Sequence, residues 1–155
     1  MKHSKFMKEL HKAIIATIKQ GKRSGSDIPD IYASKNETKF VCQYTSSEDS
    51  SLHCAIGHIM TKPELKAYGN YEGNVSALLK QGWRKSVYTS EQYNKLVDLQ
   101  ISHDGCKRNS STSFEPNEFR FAFIDNLLYE KVITTRSAKY YRMYAENVNK
   151  SEYFS

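Results

Sequence analysis

Phe6, Leu10, Ile14 and Ile18 recur at strict four-residue spacing, with Met7 and Ala13 beside them. Apolar residues at that period share one side of an α-helix and must be buried against something, so this stripe constrains the fold first. Gly21 stands where a helix end favours a left-handed backbone, which sets a basic amphipathic helix over 1–21. The period returns in Tyr93, Leu96, Val97, Gln100 and His103 or Asp104, behind Thr89 and Gln92 in capping-box form. It returns again in Phe119, Phe123, Ile124, Leu127 and Leu128 after Glu115 and Pro116, and in Tyr140, Tyr141, Tyr144 and Val148 after about Ser137.

Shorter helices are expected at 52–60 (LHCAIGHIM, with Ser50 or Ser51 as N-cap), from Pro63, and across NVSALLKQG, where Val75, Leu78 and Leu79 make an apolar face. Trp83 follows as a core anchor. The segment KFVCQY (39–44) is β-branched and aromatic enough for one short strand, for which the sequence shows no partner. The expected fold is therefore mainly α, a compact single-domain helical structure with one short β element near 39–44. Within that single domain, 1–155, residues 22–51 read as a polar connection, 52–150 as the helical core and 151–155 as a frayed tail. A chain of 155 residues can bury such a core without disulfides or metals.

Cys42, Cys54 and Cys106 leave an odd thiol in any pairing and are too sparse for a disulfide scaffold. No window approaches the roughly 20 apolar residues of a membrane span, and MKHSKFMKEL lacks the apolar run of a signal peptide. A cytoplasmic protein is expected.

The formal net charge is +6, and it is concentrated. Lys2, Lys5, Lys8, Lys12, Lys19, Lys22 and Arg23 face Glu9 alone in the first segment, which accounts for the whole surplus. Lys5, Lys8, Lys12 and Lys19 fall on the side of the first helix opposite its apolar stripe. Such a row can neutralise phosphates or lipid head groups, steer an acidic protein partner, or serve only as a solvated face. A second basic segment, RSAKYYRMY, interleaves Arg136, Lys139 and Arg142 with tyrosines, as single-strand nucleic-acid binders do. Tyrosines at helical spacing also serve to pack inward with wet hydroxyls.

The middle of the chain carries the residues with the most chemistry. His53, Cys54, His58, His103 and Cys106 would offer zinc ligands if the fold gathered them, although none of the usual paired spacings is present. Alternatively Cys54, in the first turn of its expected helix, could be a thiol nucleophile with His103 as base and Asp104 or Gln100 assisting, making the protein a thiol hydrolase or transferase. The blander reading makes Cys54 a small buried hydrophobe and His103 a satisfied polar residue. As nucleophiles Cys42 and Cys106 carry no argument of their own. Signatures for nucleotide-binding loops, serine-hydrolase elbows, zinc proteases and calcium loops are absent, and no cofactor is expected.

HCAIGHIM, GNVSALLKQGW and LVDLQISHDGC in that order resemble a loosely defined set of small, uncharacterised phage and bacterial proteins, in which a CAIG helix leads to an L-Q-HD helix and then an aromatic one. The match spans roughly residues 52–128. Size, the lysine-rich start and the Tyr/Asn-rich composition look like an early accessory protein of a T-even-type phage. The resemblance implies an α-rich fold and a role directed at the host or its defences, and brings no catalytic residue with it. The resulting expectation is a non-enzymatic protein that binds a host macromolecule, most of all a protein, through its basic surface. Nucleic acid, a small anionic ligand and the thiol chemistry stand as alternatives.

Overall fold

A computed structural model describes residues 1–29, 38–47, 49–106 and 116–153. Its elements are α1 (His3–Gln20), β1 (Gly25–Pro29), β2 (Thr38–Cys42), α2 (Lys62–Tyr68), α3 (Val75–Lys80), α4 (Ser90–Asp104), α5 (Pro116–Tyr129) and α6 (Thr135–Tyr153). The architecture is mainly helical. Helices α4, α5 and α6 pack in succession, and α1 lies against both α5 and α6.

The apolar stripes do what their spacing requires. Phe6, Leu10, Ile14 and Ile18 are all buried, as are Phe119, Phe123, Ile124 and Leu127 on α5, and each contributes about 2 kcal/mol on burial. Trp83 is buried among them. Local chemistry sets several boundaries. Thr89 and Gln92 form the capping box that opens α4, and Thr61 and Glu64 form a second one ahead of α2, with Pro63 in its first turn. Asn74 caps α3 by accepting from the Ala77 amide at 2.8 Å. Gly21 ends α1 with φ of 70°, a conformation that an L side chain resists.

Three sequence expectations change. The connection at 22–51 contains a strand: β1 pairs antiparallel with β2, with Gly25 opposite Cys42 and Pro29 opposite Thr38, so the short β element does have a partner. Segment 52–60 is a string of turns rather than a helix. Its chain is drawn off the helical path by long-range bonds: Cys54 N–H donates to the Tyr44 carbonyl at 3.2 Å, and Thr45 bridges His53. Finally, α6 runs on to Tyr153 instead of fraying from 151, because Glu152 is held by Arg120. The SSTS loop and Glu115 lie outside the described residues.

Arg120 organises this end of the molecule. It is fully buried on α5, donating to the carbonyls of Ile18 (2.6 Å) and Lys19 (3.1 Å) and to Asn149 and Glu152 of α6. One guanidinium thereby satisfies carbonyls that the end of α1 leaves open and ties that end to the last turns of α6.

Candidate functional site

Helices α1 and α6 run parallel. His11 Nδ1 is 2.9 Å from the Tyr141 hydroxyl near the middle of each helix, and Arg120 joins Ile18 and Lys19 to Asn149 and Glu152 near their C-terminal ends. This register brings the stretch of α1 that carries Lys5, Lys8 and Lys12 level with the stretch of α6 that carries Arg136, Lys139 and Arg142. Two basic segments far apart in sequence therefore lie side by side. Lys5, Lys8, Lys12, Lys19, Arg136 and Lys139 are exposed, and among the described residues no carboxylate pairs with them. Arg142 is partly neutralised, with its guanidinium 2.9 Å from Asp125.

The same pair of helices exposes apolar surface. Met7 is 40% exposed, Tyr140 54% and Met143 58%. Tyr141 packs inward while Tyr140 stays out, so the tyrosine-rich segment divides its rings between core and surface. The start of α1 also breaks a stability rule: its first turn has no acidic residue, and Lys2 at the N-cap makes no side-chain capping bond. Cations there oppose the helix dipole.

The central cysteines and histidines sort differently from expectation. Cys54 is buried and accepts from the Gly57 amide through Sγ at 3.3 Å. Burial pushes its thiol up to about 12. With no helix beginning there, the dipole expected to activate it is missing, so Cys54 is not the low-pKa nucleophile that the thiol-enzyme reading needs. Cys106 is likewise pushed up to about 12 by burial, its Sγ 3.3 Å from the Ser102 carbonyl. His53 and His58 stack edge to face with centroids 5.4 Å apart, and burial draws His58 down to about 4. Gln100 takes no part in assisting His103; it accepts from the Val75 amide at 2.8 Å and donates to the Tyr44 hydroxyl at 3.3 Å.

Among the described residues, the one group of three or more potential metal ligands that converges is Cys42, His103 and Asp104, with ligand atoms all within 4.8 Å of one another. His53, Cys54, His58 and Cys106 do not join it. His103 Nδ1 lies 2.8 Å from Asp104 Oδ1, and the Cys42 thiol also bonds the Asp104 side chain. His103 is completely buried and its Nε2 has no hydrogen-bond partner among the described residues. The part of Cys42 in this group has no local signal in the sequence, since it comes from a strand end remote from His103.

Leu79, Lys80, Lys85 and Tyr93 line part of an opening beside α3. Among the described residues no helix is long and apolar enough to cross a membrane. No protein-family model matches the chain, and no curated protein or solved structure was found to match it.

Proposed function

We propose that this chain is a non-enzymatic binding protein that engages an acidic protein surface through the joined basic face of α1 and α6, in keeping with the host-directed role that its resemblance to phage accessory proteins implies. The observation that carries the reading is the parallel register of the two helices, which sets Lys5, Lys8 and Lys12 beside Arg136 and Lys139 with no carboxylate partners among the described residues.

A protein partner is favoured over nucleic acid by the apolar residues that the same two helices expose. Met7 on α1 and Met143 on α6 are exposed, and methionine, tyrosine and arginine are enriched in protein interfaces, whereas a thioether offers no flat face for a base to stack on. The unfavourable placement of Lys2 at a helix N-terminus fits a surface shaped by contact rather than by stability. Lysines at such a rim steer association and set its salt dependence while contributing little to folding.

The test is capture of partners from bacterial lysate by the full chain, with and without nuclease, alongside a Lys5→Glu/Lys8→Glu/Lys12→Glu variant. The reading expects a nuclease-resistant protein partner lost on charge reversal with the circular dichroism spectrum unchanged. Nuclease-sensitive capture would replace it with nucleic-acid binding. Capture that survives charge reversal would refute it.

A further inference from the structure

We propose that Cys42, His103 and Asp104 form a site for a divalent ion of the zinc type, held by a thiolate, an imidazole and a carboxylate from the end of β2 and the last turn of α4. The three ligand atoms lie within 4.8 Å of one another. Around tetrahedral zinc, bond lengths of about 2.0–2.3 Å place neighbouring ligands roughly 3.2–3.7 Å apart, so the trio needs only small side-chain adjustments to close on an ion. A thiolate with an imidazole selects zinc-like metals over magnesium or calcium, which prefer oxygen ligands. Cys42 and Asp104 are only partly buried, so solvent reaches the site and a water can take the fourth position.

The three side chains already meet at the point of convergence. The Cys42 thiol and His103 Nδ1 both meet Asp104, with Nδ1 at 2.8 Å from the carboxylate. Arg23 lies near enough to act on Cys42 and Cys106, and a bound ion would have to coexist with its charge.

A second observation is independent of the acidic charge. His103 is wholly buried, with the rings of Phe119 and Phe123 at 6.0 and 6.5 Å, yet its Nε2 finds no hydrogen-bond partner among the described residues. Nδ1 is thus the ring nitrogen of His103 that meets a polar partner among the described residues, Asp104 at 2.8 Å, and it is the one placed to ligate.

Binding would convert the Cys42 thiol to a thiolate bonded to the ion and release one proton to solvent. His103 would ligate through Nδ1, the nitrogen beside Asp104, in its unprotonated form.

The test is an anaerobic titration of the metal-stripped full chain with Co²⁺, followed by Zn²⁺. The expected result is one equivalent of Co²⁺, giving visible bands of tetrahedral intensity and a near-ultraviolet thiolate-to-cobalt band, all removed by Zn²⁺. Cys42→Ser should abolish the thiolate band and Asp104→Asn should weaken affinity by more than about tenfold, whereas Cys54→Ser and Cys106→Ser should change neither. Because His103 is fully buried, these variants leave it intact, and circular dichroism of each metal-free variant checks the fold. Absence of stoichiometric binding, a thiolate band that survives Cys42→Ser, or one lost in Cys54→Ser would each overturn the assignment.

Discussion

The carbonyl oxygen of Tyr44 sits where a side chain on Gly57 would begin: a Cβ built there would come within 2.1 Å of it. The glycine of the CAIG segment is thus required by a backbone approach, with Cys54 N–H donating to that same carbonyl. Gly57→Ala must push two backbones apart and is expected to cost about 3 kcal/mol, measured by denaturant unfolding. A loss below about 1 kcal/mol would show that the contact relaxes freely.

Arg120 gives a second stability prediction. Arg120→Met removes a buried guanidinium that serves Ile18, Lys19, Asn149 and Glu152, and should cost about 3 kcal/mol. Glu152→Gln touches the half-exposed end of the same network and should cost less than about 1 kcal/mol. Similar losses from the two variants would contradict the role given to the buried carbonyl contacts.

Two groups give the protein a defined acid response. Burial opposes ionisation of Glu64, but the Arg84 guanidinium at 2.9 Å and the Thr61 amide outweigh it and bring its carboxyl down to about 2. A carboxyl lowered from its ordinary 4.5 adds stability that is fully present above that value and is lost as pH falls toward 2. Glu64→Gln should therefore be less stable than the parent at neutral pH, with the difference vanishing near pH 2. His58 acts in the neighbouring window: burial and the nearby His53, His103 and Lys12 lower it from 6.5 to about 4. The unfolded chain then binds a proton that the native one refuses, so stability should fall as pH drops from 6.5 toward 4, and a His58→Gln variant should lose that part of the slope in unfolding measurements across pH.

The start of α1 predicts a trade between stability and binding. Lys2→Asp supplies the missing cap and a charge that suits the helix dipole, so it should raise stability by about 1 kcal/mol. It also removes a cation from the basic face, and capture of the partner should weaken. Stronger folding with unweakened capture would separate Lys2 from the contact surface.

The long helices were legible because each is written in local pattern: the four-residue stripe of α1, the Thr89–Gln92 box of α4, and the Phe119–Phe123–Leu127 face of α5. Segment 52–60 was not, since HCAIGHIM reads as helical locally and only the distant Tyr44 carbonyl overrules it. Of the candidate residues, Cys54 was placed correctly as a buried thiol under its blander reading and wrongly as an activated one. Cys42 was illegible because its meeting with His103 and Asp104 depends on where β2 ends relative to α4. Arg120 did leave a trace, a charge on the apolar face of α5 four residues before Ile124, but its partners come from both ends of the chain. The joining of the two basic segments likewise follows from tertiary register rather than from any local pattern.

The central claim is that those two segments form one surface, and capture by two separate charge-reversal variants tests it most directly. Lys5→Glu/Lys8→Glu/Lys12→Glu on α1 and Arg136→Glu/Lys139→Glu on α6 should each abolish retention of the same nuclease-resistant protein, while both variants keep the helical spectrum of the parent. Loss confined to one helix, with the other variant binding as the parent does, would contradict a shared face.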